Sequence, residues 1–310
     1  MIGPKPRRST LARIGITLLN LLGPGLGLVR LESARDGIWL LAAPVLFLAA
    51  SIGLFAIAPT PTFAGAAAYV VVLFISFLAL LIVSIRLTWR RSIGFIGAQR
   101  PWWSRWYGIV LAFVVASIAS NLAALACHRF YKPFYLPSES MAPTLDLNEK
   151  MLADMRGGRN PAIGEVIMFD ISGKIFVKRV AALAGDKVGM KNGVPIVNGV
   201  AAIQHDEGNT SFVGYEGLVR ARGLRERLPS EKGEHQIVDT GPSPIDDMME
   251  QKVPPGYVFV LGDNRDRSAD SRLPTVLDGI GMIPVSRIVG KPLFIHWSAD
   301  RARIGQRISQ

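Results

Sequence analysis

The stretch Tyr107-Gly-Ile-Val-Leu-Ala-Phe-Val-Val-Ala-Ser-Ile-Ala-Ser-Asn-Leu-Ala-Ala-Leu-Ala126 contains no charged residue. As a helix rising 1.5 Å per residue, it is long enough to cross the roughly 30 Å of hydrocarbon in a bilayer. Two uncharged stretches precede it, from about Ile38 to Ala58 and from about Phe63 to Ile85. Three core helices of this length would need a far larger soluble shell than the chain provides, so three membrane spans are expected. Pro44 falls inside the first, which packed membrane helices tolerate. Past His128 the pattern changes to short alternating segments punctuated by Gly, Pro and Asn. The expected fold class is therefore about three N-terminal transmembrane α-helices followed by a mainly-β domain.

Composition agrees. Of 310 residues, 49% are hydrophobic and only 19% charged, against about a quarter in ordinary soluble domains. Residues 1–106 hold 11 Lys and Arg against 2 acidic residues, whereas residues 107–310 hold 24 against 22. Most of the net charge of +11, namely +9, thus flanks the apolar runs and does not form a stripe on a polar domain, which excludes a nucleic-acid partner. One cysteine, Cys127, excludes an intramolecular disulfide. Four scattered histidines, His128, His205, His235 and His296, have no zinc-site spacing, and neither a metal nor a cofactor is expected.

Basic flanks set the orientation. Lys5, Arg7, Arg8, Arg13, Arg30 and Arg35 precede the first span, and Arg86, Arg90, Arg91, Arg100 and Arg105 follow the second. The connector Pro59–Thr62 is uncharged. Positive loops stay in the cytoplasm, so everything past about His128 is expected outside it. Residues 1–37 are read as a cytoplasmic basic segment. Within it, the apolar run Ile14–Val29, broken by Gly23-Pro24-Gly25, is too short to span and reads as an interfacial or re-entrant helix pair. Residues 38–128 form the membrane region, with spans at about 38–58, 63–85 and 107–126. Trp102, Trp103, Trp106 and Tyr107 read as its aromatic belt at the cytoplasmic face. Residues 129–310 form the exported domain, with an insertion of unassigned shape at about 202–251.

In that domain, Glu165–Phe169, Lys174–Val180, Gly256–Leu261 and Ile288–Val289 with Leu293–Ile295 read as strands. Val194–Val197 closed by Asn198-Gly199 reads as a hairpin. Strand alternation puts Lys178 on one face with Phe176 and Val180, with Ile175, Val177 and Arg179 on the other. A lysine between apolar neighbours is desolvated, its pKa falls, and its neutral amine can take a proton from a serine hydroxyl. Serines are at hand in Pro137-Ser-Glu-Ser-Met-Ala-Pro-Thr-Leu145, about a dozen residues past the third span. Taken singly, that segment reads as a turn and the lysine as an edge-strand solubility device. Gly262-Asp-Asn-Arg-Asp-Arg-Ser-Ala-Asp-Ser-Arg272 suggests a hydrogen-bonded loop. Its spacing does not fit a twelve-residue calcium frame, and three arginines argue against a cation.

Together and in this order, the Pro137–Leu145 segment, Phe176–Asp186 and Gly262–Arg272 resemble the signature boxes of type I signal peptidases, and Gly164–Phe169 resembles the intervening one. The resemblance covers about Phe134–Trp297. It implies a β catalytic domain of signal-peptidase type, with Ser140 as nucleophile and Lys178 as general base. It further implies that the Ser138 hydroxyl joins the Ser140 N–H in an oxyanion hole, and that Ser268 orients the lysine. Arg179 with Asp263, and Asp270 with Arg272, are implied to be structural ion pairs. Phe134, Leu136, Met141, Leu145, Phe176 and Val177 are implied to line shallow substrate pockets. Three departures concern loop geometry: Ala184 replaces a usual proline, Arg267 a commoner asparagine, and Leu273–Asp278 lengthens a connection.

The implied function is that of a multi-pass serine endopeptidase of the bacterial inner membrane that cleaves N-terminal signal peptides from exported preproteins after small residues. Its partners would be exported preproteins and the lipid bilayer, and the sequence is silent on its oligomeric state. A processing peptidase dedicated to one precursor of pilin or conjugation type, and a non-catalytic membrane-anchored binding module, are the alternatives. A self-cleaving repressor would need a DNA-binding module.

Overall fold

The computed structural model describes residues 8–31, 33–93, 101–157, 160–274 and 279–308. Lys5, Arg7 and Arg100 of the basic flanks, and residues 275–278 of the lengthened connection, lie outside the described residues. The chain divides into two compact units, Met1–Arg129 and Phe130–Gln310.

The first unit is helical. α1 (Thr10–Leu18), a 3₁₀ turn (Leu19–Leu21) and α2 (Leu26–Arg30) precede three long helices, α3 (Ala34–Ile57), α4 (Phe63–Arg91) and α5 (Trp106–Cys127). These three are long and apolar enough to cross a membrane, with mean hydropathies of 2.4, 2.9 and 2.3. Most of their side chains face outward from the unit: only 6% of each apolar window is buried, as for helices solvated by lipid. Thr62 caps α4 by accepting from the Gly65 N–H, and Arg90 and Arg91 stand at its C-terminal end, where the helix dipole favours cations.

The broken apolar run before them folds back onto the long helices, and α2 packs on α3, α4 and α5. Its polar centre is Asn20, which is fully buried. The Asn20 amide donates to Thr88 Oγ1 (3.0 Å), and its carbonyl oxygen accepts from Ser84 Oγ (2.6 Å) and from the N–H groups of Gly25 and Gly27. Every polar atom of the side chain is thereby satisfied, which a water-free interior demands.

The second unit is mainly β. Its strands are β1 (Tyr131–Tyr135), β2 (Lys150–Asp154), β3 (Val166–Ile171), β4 (Lys174–Ala182), β5 (Lys187–Lys191), β6 (Val194–Val197), β7 (Val200–Ala201), β8 (Ile203–Gly214), β9 (Gly217–Arg227), β10 (His235–Asp239), β11 (Met248–Lys252), β12 (Tyr257–Leu261), β13 (Ile283–Pro284) and β14 (Ile288–Trp297). A seven-stranded sheet runs β1-β2-β14-β3-β4-β12-β13, beside sheets ordered β10-β9-β8 and β11-β5-β6-β7. β1 carries Pro133 and lies at a sheet edge, where a missing N–H costs no ladder bond. Asn198 and Gly199 close the β6–β7 hairpin at positive φ, 52° and 78°.

β3 and β4 position the site. Their register sets Ile167 opposite Lys178, Met168 opposite Val177 and Phe169 opposite Phe176. One side of the pair joins Ile167, Phe169, Phe176 and Val180 in an apolar cluster, and the other joins Val166, Met168 and Val177 to Leu136, Met141 and Leu145. Lys178 thus sits in a strand walled by core on both sides.

The stretch at about 202–251, read as an insertion of unassigned shape, has a definite one. β8 and β9 form the longest hairpin among the described residues, with β10 beside β9. Much of β8 is exposed on both sides, so no apolar alternation marks it in the sequence. Its end is not peripheral: Phe212, Ala221 and Val238 pack around the fully buried Ala142, two residues from Ser140. Likewise β14, read as two short pieces, is one strand whose pairing shifts around Gly290 and Pro292.

Candidate active site

Ser140 lies in a turn held by hydrogen bonds from Ala142 N–H to Glu139 O and from Leu145 N–H to Met141 O. From the middle of β4, Lys178 Nζ reaches Ser140 Oγ at 2.5 Å. The serine is 8% exposed and the lysine 2%. Burial pulls the Lys178 pKa from 10.5 down to about 8; Asp270 and Asp263 oppose the shift, and Arg272 adds to it. A desolvated amine with an accessible neutral form, touching a hydroxyl, is an arrangement able to take that hydroxyl's proton.

The loop after β12 supports the pair from behind. Arg179 grips Asp263 in a two-pronged contact (2.8 and 2.6 Å) and also donates to Gly164 O (2.7 Å). Burial would raise the Asp263 carboxyl, but Arg179 holds it below the usual range. Asp270 is held likewise by Arg272 (both contacts 2.9 Å) and by the Gly262 N–H. Asn264 donates through its backbone N–H to Ser140 O (3.2 Å) and through Nδ2 to Glu139 O (3.1 Å), joining this loop to the serine turn. Gly262 permits the close approach: a Cβ there would lie 2.1 Å from Ser268 Oγ and 2.6 Å from Ser140 O.

The remaining expected residues divide. Ser138 is adjacent, its Oγ accepting from the Ser140 N–H at 3.2 Å. Ser268 is buried beside Gly262, yet its hydroxyl has no hydrogen-bond partner among the described residues, so the contact to Lys178 that the resemblance implies is not made. Phe134, Leu136, Met141, Leu145 and Val177 share one cluster. Phe176 lies on the opposite side of β4, stacked on Phe169 with ring centroids 5.9 Å apart. Sequence reasoning missed Thr144, which donates to Asp263, and the buried Arg265–Glu226 pair that ties the loop to β9. It also missed Arg303, which holds Glu149 (2.6 Å) and the Pro143 carbonyl (3.0 Å). These partners are far apart in the chain, and no local spacing announces them.

The family model described as signal peptidase, peptidase S26, matches residues 106–297, more than half of the chain. The chain belongs to this family. It is 33% identical over 200 residues to signal peptidase I U of Bacillus subtilis (strain 168), covering 63% of this chain and 91% of that one. It is 28% identical over 185 residues to thylakoidal processing peptidase 1, chloroplastic, of Arabidopsis thaliana, covering 55% of this chain. The match spans 43% of the plant relative's length. A solved signal peptidase I from Enterococcus faecalis V583 is 23% identical, covers 43% of this chain and 96% of its own, and superposes with a TM-score of 0.25. As a member of the signal peptidase family, the chain carries the family match across α5 and nearly all of the β unit.

Proposed function

We propose that this membrane-anchored family member is a serine endopeptidase that removes N-terminal signal peptides from exported preproteins, cutting after small residues at the −3 and −1 positions. The observation that supports this reading best is the 2.5 Å contact between the buried Lys178 amine and Ser140 Oγ. Neutral Lys178 takes the Ser140 proton as Oγ attacks the scissile carbonyl. The Ser140 N–H and the Ser138 hydroxyl receive the developing oxyanion once the carbonyl displaces their mutual contact. The lysine ammonium then protonates the leaving amine, and the C–N bond breaks. Water, deprotonated by the same lysine, hydrolyses the acyl-serine. Arg179–Asp263 and Asp270–Arg272 keep the supporting loop rigid.

The pH profile tests the base. With the Lys178 pKa near 8, only about one molecule in ten holds the neutral amine at pH 7. kcat/KM is expected to climb about tenfold per pH unit below pH 8 and to level off above it. Initial rates on a preprotein between pH 6 and 10 check this; a rate flat across that range would sink the lysine's role.

For localisation we propose a bacterial inner membrane, with the N-terminus in the cytoplasm and the β unit outside. A reporter active only outside the cytoplasm is expected to work when fused after His128 or near Thr60 and to fail near Arg91. Activity at Arg91 would overturn that topology.

A further inference from the structure

The buried Glu139 carboxylate, between the two serines of the Ser138–Ser140 segment, has no part in the proton transfers above. One oxygen accepts from the backbone N–H of Tyr215 at the β8–β9 turn (3.0 Å), and the other from Arg267 Nη1 (3.1 Å), the residue before Ser268. Tyr215 holds the same segment a second time, donating its hydroxyl to Pro137 O (2.9 Å). The fit is close: a Cβ on Gly214 would stand 2.3 Å from the Glu139 carboxylate. Burying a carboxylate costs several kcal/mol unless it is paired, so these donors determine where Glu139 rests.

We propose that Glu139 is a positioning residue, a clamp by which the β8–β9 turn and Arg267 together aim Ser138 and Ser140 at the scissile carbonyl. The proposal rests on the signal-peptidase reading of the site and adds the hairpin to the catalytic machinery. Glu139 and Ser140 are also held through their carbonyls by Asn264, so releasing the carboxylate leaves the turn folded. What is lost is the aim of the Ser138 hydroxyl and the Ser140 N–H and Oγ, and errors near 1 Å at reacting groups cost about 100-fold. Arg267, which departs from the family's commoner asparagine, acquires a reason: it is the cationic half of the clamp.

Three changes reach the clamp independently in the full-length protein: Glu139→Ala removes it, Gly214→Ala crowds it from the hairpin side, and Arg267→Gln removes the cation. Expected are a kcat about 10- to 100-fold lower for Glu139→Ala and Gly214→Ala, a smaller loss for Arg267→Gln, and KM within about twofold. The pH midpoint near 8 should stay in place, because Lys178 is untouched. Hydrogen exchange across residues 137–142 should quicken while β3 and β4 stay protected. Arg222→Gln, in an exposed pair with Asp206 farther along the hairpin, should process at the normal rate. Wild-type kcat in both Glu139→Ala and Gly214→Ala, unchanged exchange over 137–142, or losses that follow Tm and not kcat would overturn the clamp. A wild-type protein that fails to process, or a Ser140→Ala variant that succeeds, would instead overturn the signal-peptidase reading. The exchange measurement judges the clamp in either case.

Discussion

Ser140→Ala and Lys178→Met are each expected to lower preprotein processing by about 10⁴- to 10⁶-fold, and the double variant to be scarcely worse than either. The two side chains act as one unit, since without the base the hydroxyl is a poor nucleophile, and without the hydroxyl there is no acyl-serine for the lysine to help hydrolyse. Lys178→Arg should fail as well, because guanidinium stays protonated. Loss of activity in Lys178→Met should come with a gain in stability. The folded lysine releases its proton near pH 8 and the unfolded one near 10.5, so the unfolded chain binds more protons between those values and stability rises with pH across that window. Below pH 8 the penalty for burying the ammonium is in full force, about 3 kcal/mol. Methionine relieves it while keeping length and apolar bulk. At pH 7 the β unit of Lys178→Met should therefore melt above the wild type, and melting below it would contradict the desolvated-lysine account.

The second large effect concerns folding. Asp263 is 1% exposed and is held by Arg179, itself 5% exposed, and by Thr144. Asp263→Ala strands a buried guanidinium between β4 and the loop that carries Ser268. It is expected to cost about 3–5 kcal/mol, read as a fall in Tm, with activity lost in the same proportion as folded protein. Replacing both partners by apolar residues of similar volume should recover much of the stability, because the isolated charge is what costs most. An Asp263→Ala protein melting within a degree of wild type would show that the pair does not hold the loop.

What was legible in the sequence follows from how far each signal reaches along the chain. The three long helices announce themselves because lipid selects uncharged runs residue by residue, and α3, α4 and α5 extend the expected spans by only a few positions. β3, β4 and β12 were legible because each is a short run rich in apolar residues bounded by glycine-containing turns. The β8–β9 hairpin was not: exposed on both sides over much of its length, it needs no apolar periodicity, and its register comes from its partner strand. At the site, the spacing of Lys178 on its strand gave a reason to expect a desolvated amine. The family resemblance supplied the roles of Ser138, Ser140 and Ser268. Glu139, Thr144, Glu226 and Arg303 were invisible for a common reason: each matters through a partner at least thirty residues away. Phe176 and Val177, named together by the resemblance, are neighbours on a strand and so face opposite sides of β4.

The central claim is that Ser140 and Lys178 together cut signal peptides from exported preproteins. Its most direct measurement incubates purified full-length protein, in lipid or detergent, with a preprotein and sequences the new N-terminus, beside Ser140→Ala and Lys178→Met. The account predicts one new N-terminus, at the end of the signal peptide after an A-x-A-like pair of small residues, and none with either variant. Processing by Lys178→Met at a rate near wild type would contradict it, even if Ser140 proved essential.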